Sequence, residues 1–184
     1  MIRRLALSRV YGWLEAGPVV LLSTAERGKA NVMTMSWHTM LDFDPPLLAC
    51  VVGEGDHSFR ALRRTGECVI AIPGAGMAER VVGIGNCSGR EVDKFARFGL
   101  KTKPASQVRA PLLPECAVNL ECRVVDTRMV RRYDLFVLEG VVAWQDSARR
   151  RCCTTAAGAR SAWTGRASRC LRGCAEGACL NGRG

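Results

Sequence analysis

Apolar residues alternate with polar ones over much of the chain in a way that predicts strands more often than helices. The apolar run from Pro18 to Thr24 ends at AERGKA, where Gly28 can supply the positive φ of a hairpin turn. The return strand NVMTMSWH alternates between two faces, one with Val32, Thr34, Ser36 and His38 and the other with Asn31, Met33, Met35 and Trp37. Two hydroxyls on so apolar a strand need partners, and a ligand is one way to provide them.

The middle of the chain mixes buried strands with short helices. The stretch LDFDPPLLACVVG breaks at Pro45 and Pro46 and continues as a strand over residues 47–52. DHSFRALRRTG predicts a helix with Asp56 as N-cap and Gly66 as its end, and ECVIAIP predicts the next strand. GMAERVVGIG has apolar residues at helical spacing and leads into the polar stretch NCSGREVDKFARFG.

Two long strands, ECAVNLECRVVDTR and RYDLFVLEGVVAW, complete this part of the chain. Alternation in the first predicts a half-buried antiparallel strand with Cys116 and Cys122 on its inner face. Six strands joined by short links, with only two or three short helices, indicate a mainly β fold of the β-barrel type. They argue against a parallel, doubly wound sheet.

Charge divides the chain into two unequal parts. Residues 1–147 hold 19 Lys and Arg against 16 Asp and Glu, whereas residues 148–184 hold eight against one, so the net charge of +10 is mostly a property of the tail. The body has no basic block with interleaved aromatic residues, so we expect no nucleic-acid binding there. No apolar run approaches the roughly 20 residues needed to cross a bilayer, and we expect a soluble, cytoplasmic protein with no membrane partner.

The stretch around the second predicted helix is the main candidate for phosphate chemistry. GIGNCSG follows a helix and has the spacing G-x-G-x-x-x-G, so it does not match a Rossmann dinucleotide loop. NCSGREVDKF could instead bring backbone N–H groups, the Ser88 hydroxyl and the Lys94 ammonium onto a phosphate. The alternative is a solvated loop in which Asp93 or Glu91 pairs with Lys94.

For the other candidate side chains, a structural role is an alternative to a functional one. Trp37 could belong to the core, and His57 could be a surface residue at the start of a helix. The chain has two histidines, His38 and His57, which gives no support to a hydrolytic triad. The five body cysteines read as buried apolar side chains, although Cys87 beside the phosphate loop could be redox-active.

Several of these segments occur together in one known family. PVVLLST, GKANVMTMSWHTMLDFDPPLLACVV, TGECVIAIP, VVGIGNCSGREVDKFARFGL, APLLPECAVNLECRVVDTR and YDLFVLEGVVAW resemble the flavin reductase-like FMN-binding split-barrel family, which includes flavoredoxin. The resemblance covers residues 16–144, with the motifs in the family's order. It implies a homodimeric split barrel that holds FMN noncovalently near the subunit interface.

The resemblance also implies where the cofactor binds. One segment, Asn31, Val32, Met33, Thr34, Met35, Ser36 and Trp37, would lie along the flavin. A second group would approach the ribityl phosphate and consists of Asp56, His57, Ser58, Cys87, Ser88, Gly89 and Lys94. No catalytic side chain is expected, because the flavin carries the chemistry.

The resemblance leaves two functional alternatives and a third that concerns this chain alone. The protein would transfer electrons from NADH or NADPH through FMN to free flavin or another acceptor, or it would be a noncatalytic FMN electron carrier. The third alternative is an inactive product of a frameshift. These alternatives apply to a split-barrel domain at residues 1–147, followed by a basic, cysteine-rich tail at residues 148–184.

The frameshift hypothesis comes from the tail itself. Family members usually continue with a histidine pair, a glycine-rich turn, an apolar strand and an LPSRM-like ending, none of which occurs here. When the tail is back-translated from Arg151 and read in another frame, one choice of third bases gives LLHHRGGGAFGVDGPGVTLPSRMR and then a stop codon. We therefore hypothesise a frameshift between about Ser147 and Cys152, which would leave the last strand of the barrel missing or altered.

Two other interpretations of the tail are a cysteine cluster that binds zinc and a disordered basic arm. Cys170, Cys174 and Cys179 lack the close C-x-x-C pairs of structural zinc sites, and no histidine accompanies them, so we expect no metal site. A disordered basic arm is the other alternative.

Overall fold

A computed structural model describes residues 18–146, which form one seven-stranded antiparallel sheet with four short helices in this part of the chain. The strands, in chain order, are β1 (Val20–Glu26), β2 (Lys29–Met35), β3 (His38–Phe43), β4 (Pro46–Val51), β5 (Glu67–Pro73), β6 (Cys116–Asp126) and β7 (Leu135–Gln145). The helices are α1 (His57–Thr65), α2 (Ala78–Gly85), α3 (Lys94–Arg97) and α4 (Val130–Tyr133), and a 3₁₀ turn (Ala75–Met77) precedes α2.

The sheet is open at one place. Its strand order is β2-β1-β5-β6-β7-β4-β3, and the two end strands, β2 and β3, do not pair with each other within the described sheet. One long side of β2 therefore carries backbone groups that no neighbouring strand uses. This unpaired edge borders the clefts described below.

The apolar runs of β1 and β5 are continuous because both faces of the sheet are covered there. Val20 and Leu22 of β1 pack in one cluster with Phe59 and Leu62 of α1. Leu21, from the opposite face, packs in a second cluster. Both faces of the sheet therefore bury apolar side chains at this strand pair, and the burial of apolar surface is the main favourable contribution to folding.

Local sequence signals fixed several turns and helix ends. Arg27 and Gly28 both have positive φ, 52° and 77°, as expected for a two-residue hairpin turn of type I′. Gly66 ends α1 in the left-handed conformation with φ 67°. Asp56 precedes α1 as predicted, but its carboxylate accepts a hydrogen bond from Gly53 N instead of capping the helix.

The mainly β, antiparallel prediction is confirmed, while the strand count of six was wrong. Residues 38–43 form a separate strand, β3, which the sequence did not reveal. Five of its six residues are exposed, so no alternation of buried and exposed positions marks it.

The predicted outer face of β6 was wrong over the first half of the strand, although Cys116 and Cys122 are buried as predicted. Asn119 and Glu121, expected on an outer face, are 5% and 0% exposed. Asn119 binds Leu113 through both its amide atoms, and Glu121 accepts hydrogen bonds from Ser106 and Gln107. The segment between α3 and β6 therefore covers this face of the strand.

Four of the five described cysteines are buried, as predicted for small apolar side chains: Cys50, Cys68, Cys116 and Cys122. Burial raises the pKa of the Cys50 thiol to about 12, so it stays protonated at neutral pH. The frameshift, zinc and basic-arm predictions concern residues 148–184, outside the described residues. Within residues 18–146 no helix is long and apolar enough to span a membrane.

Candidate functional site

Strand β2 divides its side chains between the two cores. Met35 and the partly buried Met33 pack in the cluster that contains α1, whereas Val32 is fully buried in the other cluster. The Thr34 hydroxyl donates to Val81 O at 2.7 Å, so one of the two hydroxyls on this strand is satisfied by α2 and not by a ligand. What β2 offers a ligand is its free backbone edge together with the flanks of Met33 and Thr34.

The loop between α2 and α3 presents consecutive backbone donors. The amides of Arg90, Glu91 and Val92 bond to Ser88 Oγ or Ser88 O, which folds the loop back on itself. Within the described residues the N–H groups of residues 87–89 donate to no protein acceptor. Successive unpaired N–H groups in a turn form a concave anion-binding site.

Lys94 stands behind this loop and is 5% exposed. Its ammonium donates to Ile84 O at 2.9 Å, and burial lowers its pKa, an effect opposed by the nearby Cys87 and Asp56. Asp93 does not pair with it, because its carboxylate caps α3 by accepting from Phe95 N and Ala96 N. Glu91 does not pair with it either, since no ion pair of Lys94 occurs within residues 18–146, so the alternative of an acidic partner for Lys94 is not what this part of the chain contains.

A buried polar chain connects β1, β2 and α1. Asn31 Nδ2 donates to Ser58 Oγ at 2.9 Å, and Thr24 Oγ1 donates to the same oxygen at 3.4 Å. Gly89 lies directly against this chain, since a Cβ at that position would overlap Asn31 Oδ1 and lie 2.8 Å from His57 Cδ2. The loop can thus approach β2 and α1 only with glycine here.

These elements enclose a cleft of about 580 Å³. Nine of the fourteen predicted residues line it: Asn31, Met33, Thr34, Asp56, His57, Cys87, Ser88, Gly89 and Lys94. A neighbouring cleft of about 510 Å³ shares Met33, Thr34 and Asp56 with it and adds Met35, Ser36 and Trp37. The two clefts follow β2, so twelve of the fourteen residues border one groove.

Two predicted residues do not face the groove. Val32 is enclosed in the second core cluster, and Ser58 is 0% exposed and acts only as a partner for Asn31 and Thr24. Trp37 is not a core residue, because 52% of it is exposed. His57 is half-buried at the first position of α1.

His57 occupies a positive environment. Burial is the largest cause of its lowered pKa, and the charges of Arg90, Arg60 and Lys94 lower it further, while Glu26 opposes them. The imidazole is therefore mostly neutral near pH 7. The same positive potential that keeps it neutral favours an anion in the adjoining cleft.

Several lining residues were not predicted from the sequence. They are Gly55, Ile84, Gly85, Asn86, Glu91, Val92 and Arg97 in the first cleft, and Val51, Gly53, Tyr133 and Asp134 in the second. The close approach of Gly85 to β2 is visible only in the folded structure, where a Cβ at this position would lie 3.3 Å from Thr34 Cβ. Tyr133 and Asp134 come from the distant α4 segment, which no local pattern connects with β2.

A family model, the flavin reductase-like domain, matches residues 14–157. This chain belongs to that family. The recognition made from the motifs is therefore confirmed, and the groove along β2 belongs to a flavin reductase-like domain.

Curated relatives are similar over much of this domain. An uncharacterized protein of Archaeoglobus fulgidus is 34% identical over 111 residues, covering 60% of this chain and 63% of the relative. The protein YddH of Escherichia coli is 30% identical over 138 residues, 73% of each chain. The chain thus spans a little under two thirds of the Archaeoglobus relative.

Two solved structures of similar fold are an FMN-binding domain and a flavoredoxin. An FMN-binding domain of a flavin reductase-like enzyme from Shewanella baltica superposes with a TM-score of 0.68 and 28% identity, over 78% of this chain and 76% of the other. Flavoredoxin from Methanosarcina acetivorans has the same TM-score and identity, over 80% and 76%. The predicted cofactor, FMN, agrees with the cofactor named for the Shewanella domain.

The described residues fit such a cofactor. FMN combines a phosphate dianion with a planar ring that has a polar edge. The loop over residues 87–89 supplies unpaired amides beside Lys94, which suit the phosphate. The free edge of β2 supplies backbone groups along the same groove, which suit the polar edge of the ring. Both kinds of donor border one continuous groove.

Proposed function

We propose that this flavin reductase-like domain binds FMN in the groove along β2 and transfers electrons from NADH or NADPH through it to free flavin or another acceptor. The observation that carries the proposal is the meeting of unpaired loop amides, a buried lysine and an unpaired strand edge in one groove. The likeness to the Shewanella FMN-binding domain supports it.

The phosphate end of the cofactor would lie at the loop. The amides of residues 87–89, the Ser88 hydroxyl and the Lys94 ammonium would hold it, with the neutral His57 at its side. Lys94 is kept in place by its bond to Ile84 O, so little side-chain freedom is lost when an anion binds. Asn31 is likewise held by Ser58, and the second N–H of its Nδ2 could donate to the cofactor without rearrangement.

The ring would lie against β2 and the second cleft. Met33 and Thr34 line both clefts, and Trp37 and Tyr133 add exposed aromatic surface beyond them, 52% and 49% exposed. FMN, when bound, supplies the redox-active ring. The chain supplies orientation, apolar walls and donors to the polar edge of that ring, and no acid or base of its own is required.

The exposed segment around β3 supports a homodimer. Trp37, Met40, Leu41 and Phe43 are 52%, 51%, 53% and 89% exposed and occur within seven consecutive residues. Monomers rarely leave so concentrated an apolar surface uncovered. A second copy of this chain would cover it beside the ring end of the groove.

A titration tests the cofactor and the reaction separately. Purified chain is titrated with FMN and with riboflavin, and the loaded protein is mixed with NADH or NADPH under anaerobic stopped-flow conditions. We expect FMN to bind more tightly than riboflavin because only FMN carries the phosphate, and we expect the flavin absorbance to bleach with either reductant. Equal affinity for both flavins would contradict the phosphate site, and absent bleaching would contradict the reductase activity.

The electron-carrier alternative is favoured by the likeness to Methanosarcina flavoredoxin. A carrier would hold FMN with the same residues but react slowly with NADH and NADPH. Rapid reduction by a partner electron-transfer protein, measured in the same stopped-flow experiment, would distinguish it from a reductase.

A further inference from the structure

Four arginines line a third cleft, of about 660 Å³, which we term the arginine cleft. Its lining residues are Glu54, Asp56, His57, Phe59, Arg60, Arg63, Arg64 and Arg90. Three of the arginines project from α1, and Arg90 comes from the loop between α2 and α3. None of the four was identified as a site residue from the sequence.

Two of these guanidinium groups are fixed by one carboxylate. Glu26, on β1, bonds Arg64 Nη1 at 2.8 Å through one oxygen and approaches Arg60 Nε at 3.3 Å through the other. The arginines lower the pKa of Glu26, so it stays ionised at neutral pH. Two positive charges thus share this one negative charge. With Glu54 and Asp56 in the lining, the four arginines face three carboxylates, which leaves a net charge of +1 at the cleft.

The other two guanidinium groups have no acidic partner. Among residues 18–146 no carboxylate forms an ion pair with Arg63 or Arg90. Both residues are exposed at the cleft. Guanidinium groups that no carboxylate neutralises are well suited to a phosphate monoester, whose oxygens accept their N–H groups in pairs.

The arginine cleft borders the proposed FMN groove without being part of it. It shares Asp56 and His57 with the cleft that would hold the flavin phosphate, yet it contains no residue of β2. A ligand that reaches both must be long and must carry negative charge far from its reactive end. Of the two nicotinamide reductants, NADPH has an additional phosphate monoester on its adenosine ribose.

We infer that the arginine cleft binds the 2′-phosphate of NADPH and makes this reductant preferred over NADH. The inference rests on the proposed function and selects between its two reductants. Arg63 is the residue that tests it best, because it lines the arginine cleft but neither cleft along β2, is exposed and forms no ion pair with residues 18–146.

The binding test uses the full chain, with and without FMN, and two nucleotide fragments. Affinities for 2′,5′-ADP and for 5′-AMP are measured by calorimetry for the natural chain, Arg63→Ala, Arg63→Lys and the control Lys101→Ala. We expect 2′,5′-ADP to bind the natural chain at least about tenfold more tightly, Arg63→Ala to lose most of that difference, and Arg63→Lys to recover part of it. Lys101 is exposed, lies outside the arginine cleft and forms no ion pair with residues 18–146, so its variant should behave like the natural chain.

Steady-state kinetics provide the second readout. The ratio of kcat/KM for NADPH to that for NADH should exceed one in the natural chain and fall by about tenfold in Arg63→Ala through a higher KM for NADPH. Equal binding of 2′,5′-ADP and 5′-AMP, or an Arg63→Ala variant that discriminates like the natural chain, would overturn the inference. A chain that fails to bind FMN would contradict the proposed function, while the fragment affinities would still decide the arginine cleft.

Discussion

At the scale of single residues, the groove depends on a few side chains that are held before any ligand arrives. Asn31 is fixed by Ser58, and Lys94 by the Ile84 carbonyl. Gly89 is equally important because of the side chain it lacks. Its position against Asn31 and His57 brings the loop amides close to the strand.

Replacing Gly89 by alanine should therefore displace the loop. The added Cβ would meet Asn31 Oδ1 and His57 Cδ2, so we expect the Kd for FMN to rise about tenfold or more while the fold is retained. FMN affinity is measured by quenching of flavin fluorescence, and folding by circular dichroism. Gly76→Ala is the matched control, because a Cβ at Gly76 meets no atom of the described residues within 4 Å. Unchanged FMN affinity in Gly89→Ala would contradict the role given to this loop.

At the scale of elements, the long segment between α3 and β6 is attached to the sheet by polar side chains of β6. Glu121 accepts hydrogen bonds from Ser106 N and Oγ, from Gln107 N and from Trp144 Nε1, at 2.6 to 3.0 Å. Burial raises its pKa, but the hydrogen bonds together outweigh burial and lower it. The carboxylate thus acts as a structural link and has no acid–base role in the groove.

Glu121→Gln should weaken this link. The amide keeps one acceptor but places an NH₂ group against a backbone donor, so we expect the free energy of unfolding to fall by about 2 kcal/mol at pH 7. The lowered pKa means that the unfolded chain binds the proton more readily, so the carboxylate stabilises the fold above about pH 4.5 and loses this effect as pH falls through its folded pKa. Urea unfolding should show that the natural and variant chains differ less in free energy of unfolding below pH 4.5 than at pH 7. Glu79→Gln, at an exposed position in α2, is the control, and a difference independent of pH would contradict this explanation.

At the scale of the whole molecule, the open sheet places its exposed apolar surface beside the groove. The end strand β3 is exposed at five of its six positions, and Phe43 at its end is 89% exposed. Such a side chain contributes little to the stability of a monomer. Its apolar surface contributes favourable free energy only when another surface covers it.

Phe43→Asp should therefore separate the proposed homodimer without unfolding the chain. We expect the dimer to weaken by about 2 kcal/mol or more, since the substitution removes an aromatic anchor and places an unpaired charge in the interface. Sedimentation equilibrium measures the association, and thermal unfolding checks the fold. Val125→Asp, a 50% exposed position at an irregularity of β6, serves as the control. A Phe43→Asp chain that dimerises like the natural one would exclude β3 from the interface.

Sequence reasoning succeeded where a local pattern has one physical meaning. The Gly28 hairpin, the Gly66 helix end and the buried runs of β1 and β5 follow from glycine conformation and from burial on both faces of a sheet. It failed at β3, which has no buried face, and at Glu121, whose burial depends on a segment that folds over it. In both cases the deciding contact, or its absence, involves residues far away in the chain.

The sequence by itself determined the mainly β fold, the family and twelve of the residues that border the groove, because strand periodicity and family motifs are local. Tertiary structure alone decided that Ser58 and Val32 face inward, that Gly89 must approach Asn31, and that Arg63 and Arg90 from separate elements share one cleft. Burial and the pairing of charges depend on which distant segments meet. The local patterns of an amino-acid sequence do not specify the distances between those segments.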